Sequence, residues 1–405
     1  VGQKARMAYP DGNEVTYQYN ENGLLDCLAT KDGQTKYVYD TMGRIKEKSL
    51  PNGILTQYQY NSIGKLEEIC HIGKDFEERY HYIYDAVGNK IEARKIRNGI
   101  EEDSGIYGYR YDARNQLVGV LKDGKVQREY GYDSFGNRIY KKDHGEDILE
   151  TIYKYNSNNQ LIEDINSQVR RQYQYDKRGN LLTIAGNEGI LKKFTFDATN
   201  TLSSAWEKRG TQEQQVGYQY NGMGNRIGQI LGDHADPEKT IRYTIDLTRQ
   251  YHNMLAEEIE TKESLETRQY IYDFNVVGMK QAVGTDYFIL DDIGSTMGVY
   301  DMEGNLQESY AYDEYGNEYG KIIDVKDRFQ PFGYTGYQKE SVGNVYYAQA
   351  RRYDAGNGRF ISEDIIKGAT IVPISLNHYV YAMNQPEDYI DPDGEFVLTA
   401  TVTLI

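Results

Sequence analysis

Tyr37-Val38-Tyr39-Asp40-Thr41-Met42-Gly43-Arg44-Ile45 is the stretch that decides the fold. Successive side chains of an extended strand point to opposite faces, so Tyr37 and Tyr39 share one face. Asp at the first turn position and Gly at the fourth is the pattern of a type I turn followed by a residue that tolerates positive φ. Arg44-Ile45 then begins a returning strand. The stretch reads as a β-hairpin with a built-in bulge or short loop.

The pattern recurs in both directions. Tyr17-Gln18-Tyr19-Asn20, Tyr58-Gln59-Tyr60-Asn61 and Tyr82-Ile83-Tyr84-Asp85 repeat it, and further copies end at Asp112, Asp133, Asn156, Asp176, Asp197, Asn221 and Asp273. Phe194 and Phe196 replace the tyrosines once. The period is roughly 20 to 27 residues, and it weakens after Asp273. A lone hairpin is marginal in water, so the copies must stack and share one sheet. The expectation is an all-β chain, a long, curling antiparallel sheet. It is either packed on itself or wrapped around a lumen lined by tyrosine, and composition does not choose between the two.

Composition agrees with strands. Of 405 residues, 40 are Tyr and 40 Gly, against 10 Phe and 1 Trp, so the apolar surface rests on a residue that favours strands and keeps a polar tip. A formal charge of −16 argues against a nucleic-acid partner, whose phosphates are bound by Lys and Arg. Cys27 and Cys70 are too few and too far apart for a disulfide framework or a zinc site, and are expected to be free, half-buried thiols. No window has the run of about 18 apolar residues that spans a bilayer, and Phe396 to Ile405 is too short. The Val start, without a signal peptide, suggests a piece of something longer.

After the repeats the motifs change. Leu290-Asp291-Asp292-Ile293-Gly294-Ser295-Thr296 is followed by Tyr310-Ala311-Tyr312-Asp313-Glu314-Tyr315-Gly316-Asn317. Pro331-Phe332-Gly333-Tyr334-Thr335-Gly336-Tyr337 and Tyr346-Tyr347-Ala348-Gln349-Ala350-Arg351 come next. Then come Arg351-Arg352-Tyr353-Asp354, Gly358-Arg359-Phe360, Asp364, Asn377-His378-Tyr379-Val380-Tyr381, Asn384 and Asp391-Pro392-Asp393-Gly394. This ordered set resembles the core segment of Rhs or YD-repeat proteins, and with the repeats the resemblance covers essentially the whole chain. It divides the chain into repeats at 1–289, a core segment at 290–394 and the start of a variable region at 395–405.

The resemblance implies a hollow β-shell plugged by the core segment, secreted or at a cell surface, enclosing a C-terminal effector that is usually a toxin. In several relatives the core segment is also an aspartic self-protease cutting just after Asp-Pro-x-Gly. Carried over by position, the carboxylates are Asp364 and Asp391, the supporting cation is Arg351, and Glu395-Phe396 after Gly394 is the bond. Two carboxylates held close cannot both ionise, so one stays protonated as acid while the other activates water. The plainer reading is that Asp-Pro-x-Gly is an ordinary turn. This chain also departs from the pattern: Glu363 and Ile365 stand where relatives carry prolines, Ala355 replaces a Pro and Arg352 a Tyr, and Lys367 to Leu376 lengthens the gap.

Other features carry less. Tyrosines could stack on cell-surface glycans, which makes an adhesive repeat module the second reading, but rings at every strand are foremost the sheet's own packing. A third, a plain structural spacer, would bring no carboxylates together. Glu77-Glu78 and Glu101-Glu102-Asp103 lack the spacing of a calcium loop and read as a solvated edge. The six His residues show no metal-ligand spacing, Cys27 and Cys70 have no His partner for catalysis, and no Gly-rich phosphate loop is present. No metal or cofactor is expected.

Overall fold

The computed structural model describes residues 2–248, 253–319, 329–370, 372–395 and 397–399. From Arg6–Ala8 to Leu306–Ser309 a single sheet of 28 strands runs as a meander, each strand antiparallel to its sequence neighbours. The meander continues through Thr296–Tyr300 and Leu306–Ser309, within the segment that carries the core motifs.

The turn chemistry explains the hairpins. The Asp40 N–H donates to the Arg44 carbonyl at 2.9 Å and the Gly43 N–H to the Asp40 carbonyl at 3.1 Å. Asp40 Oδ1 accepts from the N–H groups of Met42 and Arg44 at 2.8 and 3.0 Å, so one carboxylate answers two turn donors. Gly43 has φ 82°, and the register slips between Val38 and Tyr39, which is the expected bulge. At Asn115, Asn159 and Asn200 an asparagine takes the glycine's place with φ of 61°, 59° and 69°.

Each Tyr-x-Tyr divides two tasks. The first ring, as in Tyr37, Tyr82, Tyr109 and Tyr130, is buried on the inner face. The second is half-buried and sends its hydroxyl back to the preceding copy. Tyr39 Oη donates to the Leu25 carbonyl at 2.6 Å, Tyr60 to Ile45 at 2.9 Å, Tyr84 to Leu66 at 2.7 Å and Tyr111 to Lys90 at 2.7 Å. Tyr132 reaches Leu117, Tyr155 reaches Arg138 and Tyr220 reaches Leu202 in the same way. Every acceptor is the first residue of a returning strand. The repeat therefore requires tyrosine: a ring for the groove between hairpins and a donor for the carbonyl beneath it.

The sheet winds until its first strands lie against its last. Tyr9 Oη donates to the Tyr270 carbonyl at 2.7 Å, Tyr17 to that of Tyr272 at 3.2 Å, and Tyr37 to Asp273 Oδ2 at 2.7 Å. His71, bonded to Thr56 at 2.9 Å and to the Leu290 carbonyl at 3.1 Å, is kept neutral by burial, which pulls its pKa down to about 3. Val276–Lys280, Thr285–Leu290 and Thr296–Tyr300 are consequently buried on both faces almost throughout.

The chain from Tyr310 onward forms the plug. It builds small ladders, among them the four strands Gln338–Lys339, Tyr346–Ala348, Arg351–Asp354 and Arg359–Phe360. It covers the inner face of the remaining sheet: Glu314 pairs with Arg128 at 2.8 Å, Glu340 with Arg226 at 2.7 Å, and Tyr379 Oη donates to the Gly179 carbonyl at 2.8 Å. The fold is thus all-β, an antiparallel sheet of hairpin repeats wound into a shell and closed by its C-terminal plug. The tyrosine rings face this interior rather than an outward groove.

Two expectations are corrected. Cys27 and Cys70 are unbridged but buried, deeper than half-buried, because longer side chains flank these small thiols on the adjacent strands, Gln18 and Lys36 beside Cys27 and Gln57 and Arg79 beside Cys70. Glu78 and Asp103 are not on a solvated edge: both are buried on Arg97, whose Nε lies 2.9 Å from Glu78 and whose Nη1 bonds Asp103, while Glu77, Glu101 and Glu102 are exposed. Arg97 also donates to the Tyr310 carbonyl at 2.9 Å, so the cluster ties sheet to plug. Breaking such a buried pair costs about 3–5 kcal/mol.

Tyr39→Phe keeps the ring and removes one donor. Urea denaturation should show a loss of about 1 kcal/mol with an unchanged slope, whereas Tyr37→Ala, which empties a buried position, should cost about 3–5 kcal/mol. A Tyr39→Phe chain as stable as the parent contradicts the role given to the hydroxyl.

Candidate active site

Four short elements of the plug converge on Arg351. The strand Arg351–Asp354 presents its guanidinium, which lies 3.6 Å from the centre of the Phe360 ring on the adjoining strand. Nη2 is 2.8 Å from Asp364 Oδ2 and 3.3 Å from Asp391 Oδ2, so both carboxylates meet on one nitrogen. Nη1 donates to the His378 carbonyl at 2.9 Å, and Nε donates to the carbonyl of Gly394. That oxygen belongs to the Gly394-Glu395 peptide bond. The expected trio Asp364, Asp391 and Arg351 is therefore assembled, with Gly394 and Glu395 beside it; Phe396 lies outside the described residues.

Local chemistry holds each part. Asp364 is fixed by its own N–H, which donates to the His378 carbonyl at 3.1 Å, and by the Ile366 N–H donating to Oδ1 at 2.8 Å. Tyr337 Oη donates to the Asp391 carbonyl, and the Ala350 N–H reaches the Asp393 carbonyl at 2.9 Å. Gly394 has φ 77°, and a Cβ there would stand 2.5 Å from the Ala348 carbonyl oxygen, so only glycine lets the turn close on Arg351. The sequence reading missed Tyr337, Phe360 and the backbone of His378. Only the aromatic richness around Tyr337 and Phe360 hinted at them.

The electrostatics are those of a crowded, mostly buried site. Burial raises the Asp364 pKa while Arg351 opposes the shift. Glu395 is raised as well, by burial and then by Asp393 and Asp364, with Arg351 again opposing. Burial also lowers the Arg351 pKa, with Asp364 and Asp391 opposing the shift. The site can hold a proton on a carboxyl group next to a polarised peptide carbonyl. Among the described residues no three His, Cys, Asp or Glu side chains gather in metal-binding geometry, and no helix is long and apolar enough to cross a membrane.

The Teneurin YD-shell family model matches residues 80–387, about three quarters of the chain. The chain belongs to the Teneurin YD-shell family. It is 28% identical over 387 residues to the tRNA3(Ser)-specific nuclease WapA of Bacillus spizizenii, covering 94% of this chain and 16% of that protein. It is 27% identical over 318 residues to human Teneurin-1, covering 75% of this chain and 10% of that one. The YD-shell chain thus spans a sixth or less of these relatives. A crystal structure of TcdB2-TccC3 without its hypervariable C-terminal region shares the fold, with a TM-score of 0.67 at 17% identity over 95% of this chain and 20% of that chain. A second TcdB2-TccC3 crystal structure superposes with a TM-score of 0.59 at 16% identity.

Departures from the motif pattern have local explanations in this YD-shell. Arg352 is buried, 2.9 Å from Glu340 and from the Tyr220 hydroxyl, and so anchors plug to sheet. Glu363 pairs with His378 at 2.9 Å and Lys367 at 2.8 Å. The longer gap is taken up by a loop closed on itself by Ser375, whose Oγ accepts from the Ala369 N–H at 2.9 Å. None of these displaces Asp364.

Arg351→Met leaves Asp391 buried without its cation and should cost about 3–5 kcal/mol, read by urea denaturation. The Asp364 shift also has a sign. A carboxyl raised in the folded state favours folding below its unfolded pKa, about 3.9, and that contribution is lost as pH rises through the folded value. Asp364→Asn should therefore flatten the decline in stability on going upward from about pH 4, and a profile as steep as the parent's contradicts the assignment.

Proposed function

We propose that this chain is the closing section of a secreted or surface-exposed shell that encloses a polypeptide carried on its C-terminal side, and that it severs that polypeptide from itself by hydrolysis after Asp391-Pro392-Asp393-Gly394. The observation that carries the reading is that one guanidinium, Arg351, holds Asp364, Asp391 and the Gly394 carbonyl together. A turn with a purely structural task has no use for two converging carboxylates around a polarised peptide group. The relative that is a nuclease supports an effector as the enclosed cargo.

In the proposed reaction Arg351 draws electron density from the carbonyl, as an oxyanion donor does. One carboxylate takes a proton from the attacking water. The oxygen bonds to the carbonyl carbon, the C–N bond breaks, and the other carboxyl gives its proton to the departing nitrogen. Asp364, raised by burial, is suited to hold the proton. Because Arg351 contacts the Gly394 carbonyl, the Gly394-Glu395 bond is favoured over Glu395-Phe396. The proposed division keeps the bounds read from the sequence, repeats at 1–289, core segment at 290–394 and cargo from 395, with the first part of the core segment completing the sheet to Ser309 before the plug begins.

Intact mass and N-terminal sequencing of a chain extended past Ile405 test the reading, beside Asp391→Asn and Asp364→Asn partners. The parent should arrive as two fragments, the second beginning at Glu395 or Phe396, and both variants should stay whole. A parent that stays whole contradicts it.

A further inference from the structure

The chain on the far side of the scissile turn is not loose. Leu398–Thr399 pairs antiparallel with Tyr389–Ile390, with Ile390 opposite Leu398 and Tyr389 opposite Thr399. Ile390 is buried, and Leu398 packs against the main apolar core. The strand Tyr389–Ile390 ends directly before Asp391, so the Gly394-Glu395 bond lies in sequence between the two paired strands, and the Arg351 guanidinium is bound to the first part of that stretch. Nη2 meets Asp391 on the entering side, and Nε meets the Gly394 carbonyl in the middle.

Resting on the self-cleavage reading, we infer that this two-residue ladder is a clamp with two tasks: it positions the Gly394-Glu395 bond before the cut and retains the downstream chain after it. The first task follows from loop closure. Tying residues 390 and 398 together restricts where the peptide group between them can go, and Arg351 and the Ala350 N–H then select one position. The second follows from what hydrolysis leaves intact. The cut removes one covalent bond, but the ladder and the Leu398 contact bridge it, joining residues before the bond to residues after it. The downstream fragment is then an added strand, held by main-chain hydrogen bonds and one apolar anchor. Leu398 is a positioning residue, since it touches neither the carbonyl nor the carboxylates of the site.

The chain extended past Ile405 is compared with Leu398→Asp and Leu398→Ile. Intact mass against time gives the rate of cutting, and size-exclusion chromatography with and without denaturant shows whether the downstream fragment stays attached. The parent should be cut and its fragment should leave only in denaturant. Leu398→Asp should be cut at least tenfold more slowly and lose its fragment without denaturant, while Leu398→Ile should restore both. Hydrogen exchange on the uncut Asp391→Asn chain is the independent arm: amides of residues 397–399 should be protected, and a further Leu398→Asp should expose them. Parental cutting and retention in Leu398→Asp, or unprotected amides at 397–399, overturns the clamp while leaving self-cleavage standing. No cutting in the parent removes the self-cleavage reading and with it the positioning task, whatever the exchange shows.

Discussion

The second tyrosine of the hairpin repeat sends its hydroxyl to a carbonyl of the copy before it, and the architecture follows from that contact. Taking a polar group out of water without a partner costs about 1–3 kcal/mol, so each tyrosine tip that finds an acceptor strengthens a sheet faced with these rings. The repeat supplies one at a fixed place, the first carbonyl of the returning strand before it, as in Tyr60 to Ile45 and Tyr155 to Arg138. Neighbouring hairpins are thereby joined by a side-chain bond in addition to the ladder. With about 1 kcal/mol from each, seven such bonds are on the scale of the stability of a domain. Where Phe196 replaces tyrosine the donor is absent, and that stretch of sheet leans on the plug instead, the Leu181 N–H donating to the Ile361 carbonyl at 2.9 Å.

The second organising element is buried charge. Arg97, Arg128, Arg226 and Arg352 each join the sheet or the plug to a carboxylate within the interior. A buried ion pair contributes little net stability but makes wrong packings expensive. Here Arg128 to Glu314 and Arg226 to Glu340 join sheet to plug. Carboxylates are buried as well as exposed, Glu78, Asp103, Glu314 and Glu340 among them, and the inward Arg97, Arg226 and Arg352 sit on aromatic rings, as Arg226 does over Tyr347 at 3.8 Å. The same device recurs at Arg351, where stacking on Phe360 holds the guanidinium in the one orientation that reaches both carboxylates and the Gly394 carbonyl.

What could be read from the sequence was what is local. The Asp-x-x-Gly turn completes all its hydrogen bonds within five residues, so Asp40 to Arg44 announced its geometry, whereas Asp364, Asp391 and Arg351 were singled out only through the resemblance to Rhs and YD-repeat proteins. Partners far along the chain were not: Tyr9 bonds a carbonyl 261 residues away, and nothing near Tyr9 marks it. Glu78 and Asp103 looked like surface acid because Arg97 becomes their partner only when the sheet winds. The choice between a sheet packed on itself and a sheet around a lumen was open for the same reason. In this stretch the inner face is occupied by the first and last strands meeting and by the plug.

That winding and plug stabilise each other as one unit is the central claim, and urea unfolding followed by two probes tests it most directly. The Gly343 N–H of the plug donates to the Glu207 carboxylate of the sheet at 3.1 Å, so hydrogen exchange at that amide reports plug docking. Far-UV circular dichroism reports the sheet. The account predicts coincident transitions, since a sheet sealed from inside cannot lose its plug and keep its strands. Loss of protection at Gly343 well below the circular dichroism transition, as in an open repeat array that frays from one end, would contradict it.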